Sequence, residues 1–223
     1  MRIKWFSLIR ITGLLLVLLY HFFQTIFPGG FFGVDVFFTF SGFLITSLLL
    51  EEFGKKSQID LLGFFKRRFY RIVPPVVLMV LVTMPFTFLV RQDYVAGIGG
   101  QIAGVLGFMT NFYEMLTGGS YESQFIPHLF VHNWSLAVEV HYYILWGLAV
   151  WFLSKRSKSS SQLRGTVFLL STGAFIISFF SMFIGSLMAS SYSSVYFSSL
   201  THVHPFFLGS ILATVVGVRQ TTD

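Results

Sequence analysis

A membrane-crossing helix needs about 20 consecutive, mostly apolar residues. Six stretches of this chain meet or approach that length with almost no charge inside them: 8–27, 31–50, 72–90, 134–153, 166–189 and 203–218. Composition agrees. Charged residues make up only 11% of the 223, and apolar ones 54%, whereas soluble domains carry about a quarter charged residues. Mean hydropathy is +0.74, and the 29 Phe exceed what one soluble core of this size buries. These observations exclude a soluble globular domain, a disordered tail and a nucleic-acid-binding module. The fold class they imply is all-α, a polytopic transmembrane helix bundle.

The formal charge of +6 does not mark a nucleic-acid partner, because the basic residues sit between the apolar runs, where membrane proteins keep them. With no Cys in the chain, disulfides, thiolate metal sites and thiol catalysis drop out. The first run has the basic flank of a signal peptide (Arg2, Lys4, Arg10) but lacks an A-x-A-like cleavage site and carries Tyr20 and His21. It reads as a retained signal-anchor helix.

A seventh stretch, 98–117, has four Gly in its first ten residues and then Asn111 and Glu114. Counting charges tests whether it crosses. With six spans and a cytoplasmic amino terminus, 14 of the 15 Lys and Arg lie inside, and only Arg91 lies outside. A seventh crossing would flip the later loops and leave 9 inside. Positive-inside bias favours six spans, with 98–117 re-entrant or along the outer surface and a seventh helix as the alternative. Phe27-Pro28-Gly29-Gly30 reads as a tight turn. Pro74-Pro75 falls near the start of the third span, where a missing N–H costs little. Trp134 marks a water interface.

Ionisable groups inside a bilayer each call for a partner or a purpose. His21 follows Arg10 by eleven residues, almost three helical turns, so the two share a face about 16 Å apart along the axis. If Arg10 marks the cytoplasmic surface, His21 lies near mid-membrane. Glu139 lies about 7 Å into a helix that starts at the outer face, and His21 about 13 Å below that face. Tilted helices can bring them together, and a carboxylate beside an imidazole fixes its tautomer and suits a general base. The plain alternatives are a His bonded to a neighbouring helix and a Glu that snorkels or pairs with an Arg. Asp35 either lines the same polar cavity or caps a helix end.

The cluster Lys66-Arg67-Arg68-Phe69-Tyr70-Arg71 falls at the cytoplasmic entry to the third span. It is either a topology anchor or a grip in which Arg68 and Arg71, three apart on one face, hold phosphates. A nucleotide-linked thioester held there and by Arg10 reaches inward about as far as His21. His128 and His132 have metal-like i, i+4 spacing but no third ligand, and no metal is expected. His141 reads as interfacial, and the roles of His202 and His204 stay open.

Four motifs then follow in order: Arg10 to His21 with ten residues between, Gly33-Val34-Asp35-Val36-Phe37-Phe38-Thr39-Phe40-Ser41-Gly42-Phe43-Leu44-Ile45-Thr46, Arg68-x-x-Arg71, and Asn133-Trp134-Ser135-Leu136-Ala137-Val138-Glu139. In this arrangement the chain resembles the acyltransferase family 3 membrane domain, in its bacterial peptidoglycan O-acetyltransferase branch. The resemblance implies an integral membrane enzyme of the bacterial cell membrane, with no bound cofactor and acetyl-CoA as co-substrate. It implies transfer of acetyl across the membrane to a hydroxyl of a glycan, with peptidoglycan first among acceptors. His21 and Glu139 would be catalytic, and Arg10, Arg68 and Arg71 would bind the donor. Asp35, Ser41, Asn133, Ser135 and Tyr196 would support them, the last as a transient acyl carrier.

Two departures qualify the likeness. Thr201-His202 stands where many relatives have Thr-Arg. The family domain also continues through further helices and often adds an extracellular esterase-like domain, so the expectation is an amino-terminal part of such an enzyme, truncated at its carboxyl end, with any extracellular acetyl-transfer domain on a separate chain. A small proton-coupled transporter and an inactive fragment are the rival readings.

Overall fold

Helix is the only regular secondary structure among the described residues, as lipid requires of a chain whose amides find no water. The computed structural model describes residues 4–23, 25–26, 32–89, 95–117, 128–189 and 192–216, with only the backbone course given for 4–10, 14, 21 and 192. The helices are α1 (Lys4–Phe22), α2 (Gly33–Lys56), α3 (Leu61–Thr83), α4 (Ile98–Leu106), α5 (Thr110–Thr117), α6 (Trp134–Arg156), α7 (Ser160–Met188), α8 (Tyr192–Tyr196) and α9 (His204–Val216), with 3-10 turns at Met84–Leu89 and Val131–Asn133. Four segments are long and apolar enough to cross a bilayer: Gly33–Lys56, Leu61–Leu89, Val131–Arg156 and Ser160–Met188. Ile11–Tyr20 and His204–Val216 are shorter apolar helices.

Polar chemistry moves several boundaries away from those that hydropathy marks. The helix of the second span runs on to Lys56, supported by Lys55–Glu51 and Lys56–Glu52 pairs at 2.6 and 3.3 Å, both i, i+4. The third helix begins at Leu61, because the Asp60 carboxylate accepts the Gly63 N–H at 2.9 Å as an N-cap. The basic cluster is therefore helical. Pro74 and Pro75 lie inside α3, so their placement near a helix start does not hold. Stretch 98–117 is two helices broken at Gly107–Met109, where Phe108 takes φ 54°. At 9 and 8 residues, each is about 14 Å long or less, and neither can cross alone. The Phe27–Gly30 turn lies outside the described residues.

The chain divides into two compact units. The first comprises Met1–Ile59, Val150–Ile177 and Val203–Asp223. Here α2 and α9 run parallel in backbone contact: Gly42 faces the Phe206 carbonyl, and Thr46 Oγ1 donates to Ser210 Oγ at 2.9 Å. A Cβ on Gly42 would lie 2.0 Å from Phe206 O, and one on Gly209 would lie 1.9 Å from Thr39 O. Small residues allow this approach, which is how membrane helices gain packing and interhelical hydrogen bonds where lipid supplies no hydrophobic drive. The Phe38 and Phe206 rings stack beside it at 4.2 Å.

The second unit comprises Asp60–Ala149 and Ser178–His202. Val76 and Val80 of α3, Val105 of α4 and Phe130 form its buried cluster. Within it α3 and α6 are antiparallel, with the Phe64 ring against Gly147, Arg68 beside Tyr143, and Met79 Sδ beside Asn133.

Candidate functional site

That antiparallel register decides where the basic cluster sits. Arg68 is level with Tyr143, which is thirteen residues, or about 20 Å, from the α6 end at Arg156. The intervening stretch of α6 is apolar, with Leu145 and Leu148 exposed. Arg68 therefore lies level with the middle of α6.

The guanidinium of Arg68 stands 5.3 Å from the Phe64 ring centroid and 5.8 Å from that of Tyr143, within cation–π range. Its Nε is buried and has no hydrogen-bond partner. Tyr143 Oη donates to Glu139 Oε1 one turn away on α6 in a short hydrogen bond. Glu139 is half-buried and acts electrostatically on Arg68, as do the like charges of Arg67 and Arg71. Lys66, Arg67 and Arg71 are exposed along the same helix. The unit thus joins a cation with a spare buried N–H to a carboxylate with one oxygen held in place. Such a pair can bind an anion and orient a proton acceptor.

The other expected residues fall as follows. Arg10 and His21 lie on α1 of the first unit, and their side chains fall outside the described residues. Asp35 is in the first turn of α2, where a carboxylate favours the helix N-terminus. Ser41 is buried on α2 in the first unit. Asn133 donates to Phe130 O at 3.2 Å, and Ser135 Oγ to His132 O at 3.4 Å, both closing the turn that starts α6. The Tyr196 ring packs on Trp134 at 4.9 Å and on His202 at 4.5 Å. His202 is buried, its Nδ1–H donates to Tyr196 O at 2.7 Å, and its ring packs on that of the motif residue Trp134 at 5.2 Å. His141 is half-buried and pairs with Ser199 Oγ at 2.8 Å.

Sequence reasoning missed one titratable pair. Glu114 of α5 is 1% exposed and accepts from His128 Nδ1 at 2.8 Å. His128 is thus half-buried against this carboxylate. The usable signal was an acid inside an otherwise apolar stretch, which demands a partner. Burial pushes the Glu114 carboxyl above its ordinary value, and the His128 hydrogen bond offsets part of that rise. An acid raised in the folded state binds more protons folded than unfolded. Its contribution is fullest below the ordinary carboxylate range, about pH 4, and is lost as pH rises through the raised value. The melting temperature of Glu114→Gln is expected to gain on wild type between about pH 4 and 7. A gap that stays constant over that range would refute this assignment.

Comparisons with known proteins agree with the family resemblance. The profile of the family described as "Acyltransferase domain" matches residues 3–221. O-acetyltransferase OatA of Staphylococcus aureus (strain NCTC 8325 / PS 47) is 32% identical over 207 residues, covering 93% of this chain and 34% of its own length. The OatA of strain MRSA252 gives the same figures, 32%, 93% and 34%. A relative from strain COL, whose name assigns O-acetyl transfer provisionally, is 34% identical over 206 residues, covering 92% of this chain and 33% of its own length. The chain thus spans about one third of the length of the curated relatives it matches. No solved structure matches it.

Proposed function

The chain belongs to the acyltransferase domain family, and from that membership we propose that it moves an acetyl group from cytoplasmic acetyl-CoA to a hydroxyl of an extracytoplasmic glycan, with peptidoglycan as the acceptor. The names of the OatA relatives support acetyl as the group and oxygen as its destination. The lipid bilayer is its setting, and an extracellular acetyl-transfer domain is its expected partner.

The observation that carries the reading is the buried, unpartnered Arg68 N–H beside the Tyr143–Glu139 pair. Arg10, Arg68 and Arg71 hold the phosphates of the donor by charge-assisted hydrogen bonds. His21, oriented by Glu139, takes the proton of the acceptor hydroxyl as its oxygen bonds to the acetyl carbon. The thioester C–S bond breaks, and that proton passes to the departing sulfur. Ser41, Asn133 or Ser135 donates to the tetrahedral oxyanion, and Tyr196 carries acetyl in any two-step route.

Six crossings with the amino terminus in the cytoplasm suit this chemistry. The parallel course of α2 and α9 supports that count, since a crossing at 98–117 would make them antiparallel. The charge count supports the orientation.

The test is transfer of labelled acetyl from acetyl-CoA to muropeptides by the purified full chain in nanodiscs. His21→Ala should lower the rate about 10²–10⁴-fold while leaving the protein folded. Equal rates in the two proteins would overturn the assignment.

A further inference from the structure

A cavity of about 490 Å³ opens in the first unit among the C-terminal end of α2, the first turns of α7 and the C-terminal end of α9. It is separate from the residues assigned to acyl transfer. Ser47, Glu51 and Lys55 reach it from one face of α2, and Ser160 and Arg164 reach it from α7.

Three independent observations concern what it holds. The first is Ser47. Hydroxyls on helices of this chain usually bond back to their own backbone, as Thr83 does to Met79 O, Ser154 to Trp151 O and Thr172 to Phe168 O. Ser47 does not. Its Oγ is fully buried without a partner, and the residue is 3% exposed. Such a group beside a cavity calls for a polar atom of whatever fills it.

The second is charge. Ser160 opens a helix of 29 residues, so the positive end of the α7 dipole faces the cavity. Arg164 lies one turn further on, exposed and without an ion-pair partner among the described residues. Glu51 also lines the cavity, but Lys55 meets its carboxylate at 2.6 Å, so the balance left over is cationic.

The third is size and wall. The volume exceeds what a bare phosphate fills, and Leu50 and Ala213 make part of the lining apolar. The fit is to a phosphate with organic substance attached.

We propose that this cavity binds the phosphate of an anionic ester, with Arg164 and the α7 N-terminus holding its charged oxygens and Ser47 donating from the buried side. The same chemistry is offered by an anionic phospholipid headgroup from the surrounding leaflet and by soluble phosphate.

The experiment uses the full chain in nanodiscs of phosphatidylcholine, doped with phosphatidylglycerol in one arm and bathed in inorganic phosphate in the other. Thermal stabilisation and ligand retention in native mass spectra are the readouts. Phosphatidylglycerol should stabilise the wild type, and Arg164→Gln should weaken retention about tenfold. Gly54→Leu, which fills the cavity without altering charge, should do the same. Lys158→Gln, an exposed cation outside the lining, should change little.

Displacement of the lipid by inorganic phosphate would assign the site to a soluble ester, and retention against it would assign the site to the headgroup. Either upholds the proposal. It is overturned if neither probe stabilises the wild type, or if Lys158→Gln costs as much as Arg164→Gln. Should Gly54→Leu fail to fold, the two charge variants still decide.

Discussion

Placing a single methyl group on Gly42 should unseat α9 and unfold the first unit at a markedly lower temperature. The added carbon would sit 2.0 Å from the Phe206 carbonyl oxygen and 2.7 Å from its carbon. Both are backbone atoms of a helix, so no side-chain rotation relieves the clash. Separation of the helices would also loosen the Thr46–Ser210 hydrogen bond and the Phe38–Phe206 stack. Overpacking of this kind costs on the order of 3 kcal/mol, which for a chain of this size is about 6–12 °C in melting temperature. Gly209→Ala should behave alike, because its methyl would meet Thr39 O. Gly165→Ala and Gly173→Ala provide the contrast: nothing lies within 4 Å of either position. Those two should be neutral or stabilising by about 0.5–1 kcal/mol, the ordinary gain of Ala over Gly in a helix. Fluorescence-monitored melting in detergent separates the pairs, and a Gly42→Ala protein that melts with the wild type would show the contact to be wrong.

The second large effect concerns Glu139. Replacement by Gln keeps the side chain's shape and removes the charge that faces Arg68. Acetyl transfer should fall about 100-fold or more in kcat, with the KM for acetyl-CoA little changed. Under the proposed function, Arg68→Gln should show the opposite split, raising KM through a weaker hold on the donor. Tyr143→Phe removes only the hydroxyl that donates to Glu139. As the loss of a positioning group it should cost less than Glu139→Gln, about tenfold in kcat. Steady-state kinetics on proteins of matched melting temperature decide the matter. If all three variants lose rate in proportion to lost stability, the cluster is structural.

Much of the architecture was legible because lipid imposes a length rule that a run of apolar residues obeys visibly. The Trp134–Glu139 motif was equally open to inspection, and it lies at the start of α6 as its spacing suggests. Helix ends were harder. Hydropathy places the third helix where charge stops, at residue 72, whereas the Asp60 cap starts it at Leu61 and draws the arginines into it. The same blindness puts Pro74 and Pro75 at a helix start that lies more than a dozen residues upstream. Helix breaks in a glycine-rich stretch have no unique periodicity, so the turn at Phe108 could not be read. Partnerships across long separations were hidden altogether. Nothing local ties Glu114 to His128, or Asn111 to the Phe197 carbonyl 86 residues on.

The parallel seating of α9 on α2 has a consequence for how the protein is made. Residues that touch across it, such as Thr46 and Ser210, are 164 positions apart. At synthesis rates of roughly 5–20 residues per second, α2 waits about 8–33 s in the bilayer before its mate leaves the ribosome. Through that interval its glycine notch faces lipid or another helix, and the Thr46 hydroxyl can only bond back to its own backbone, until α9 arrives.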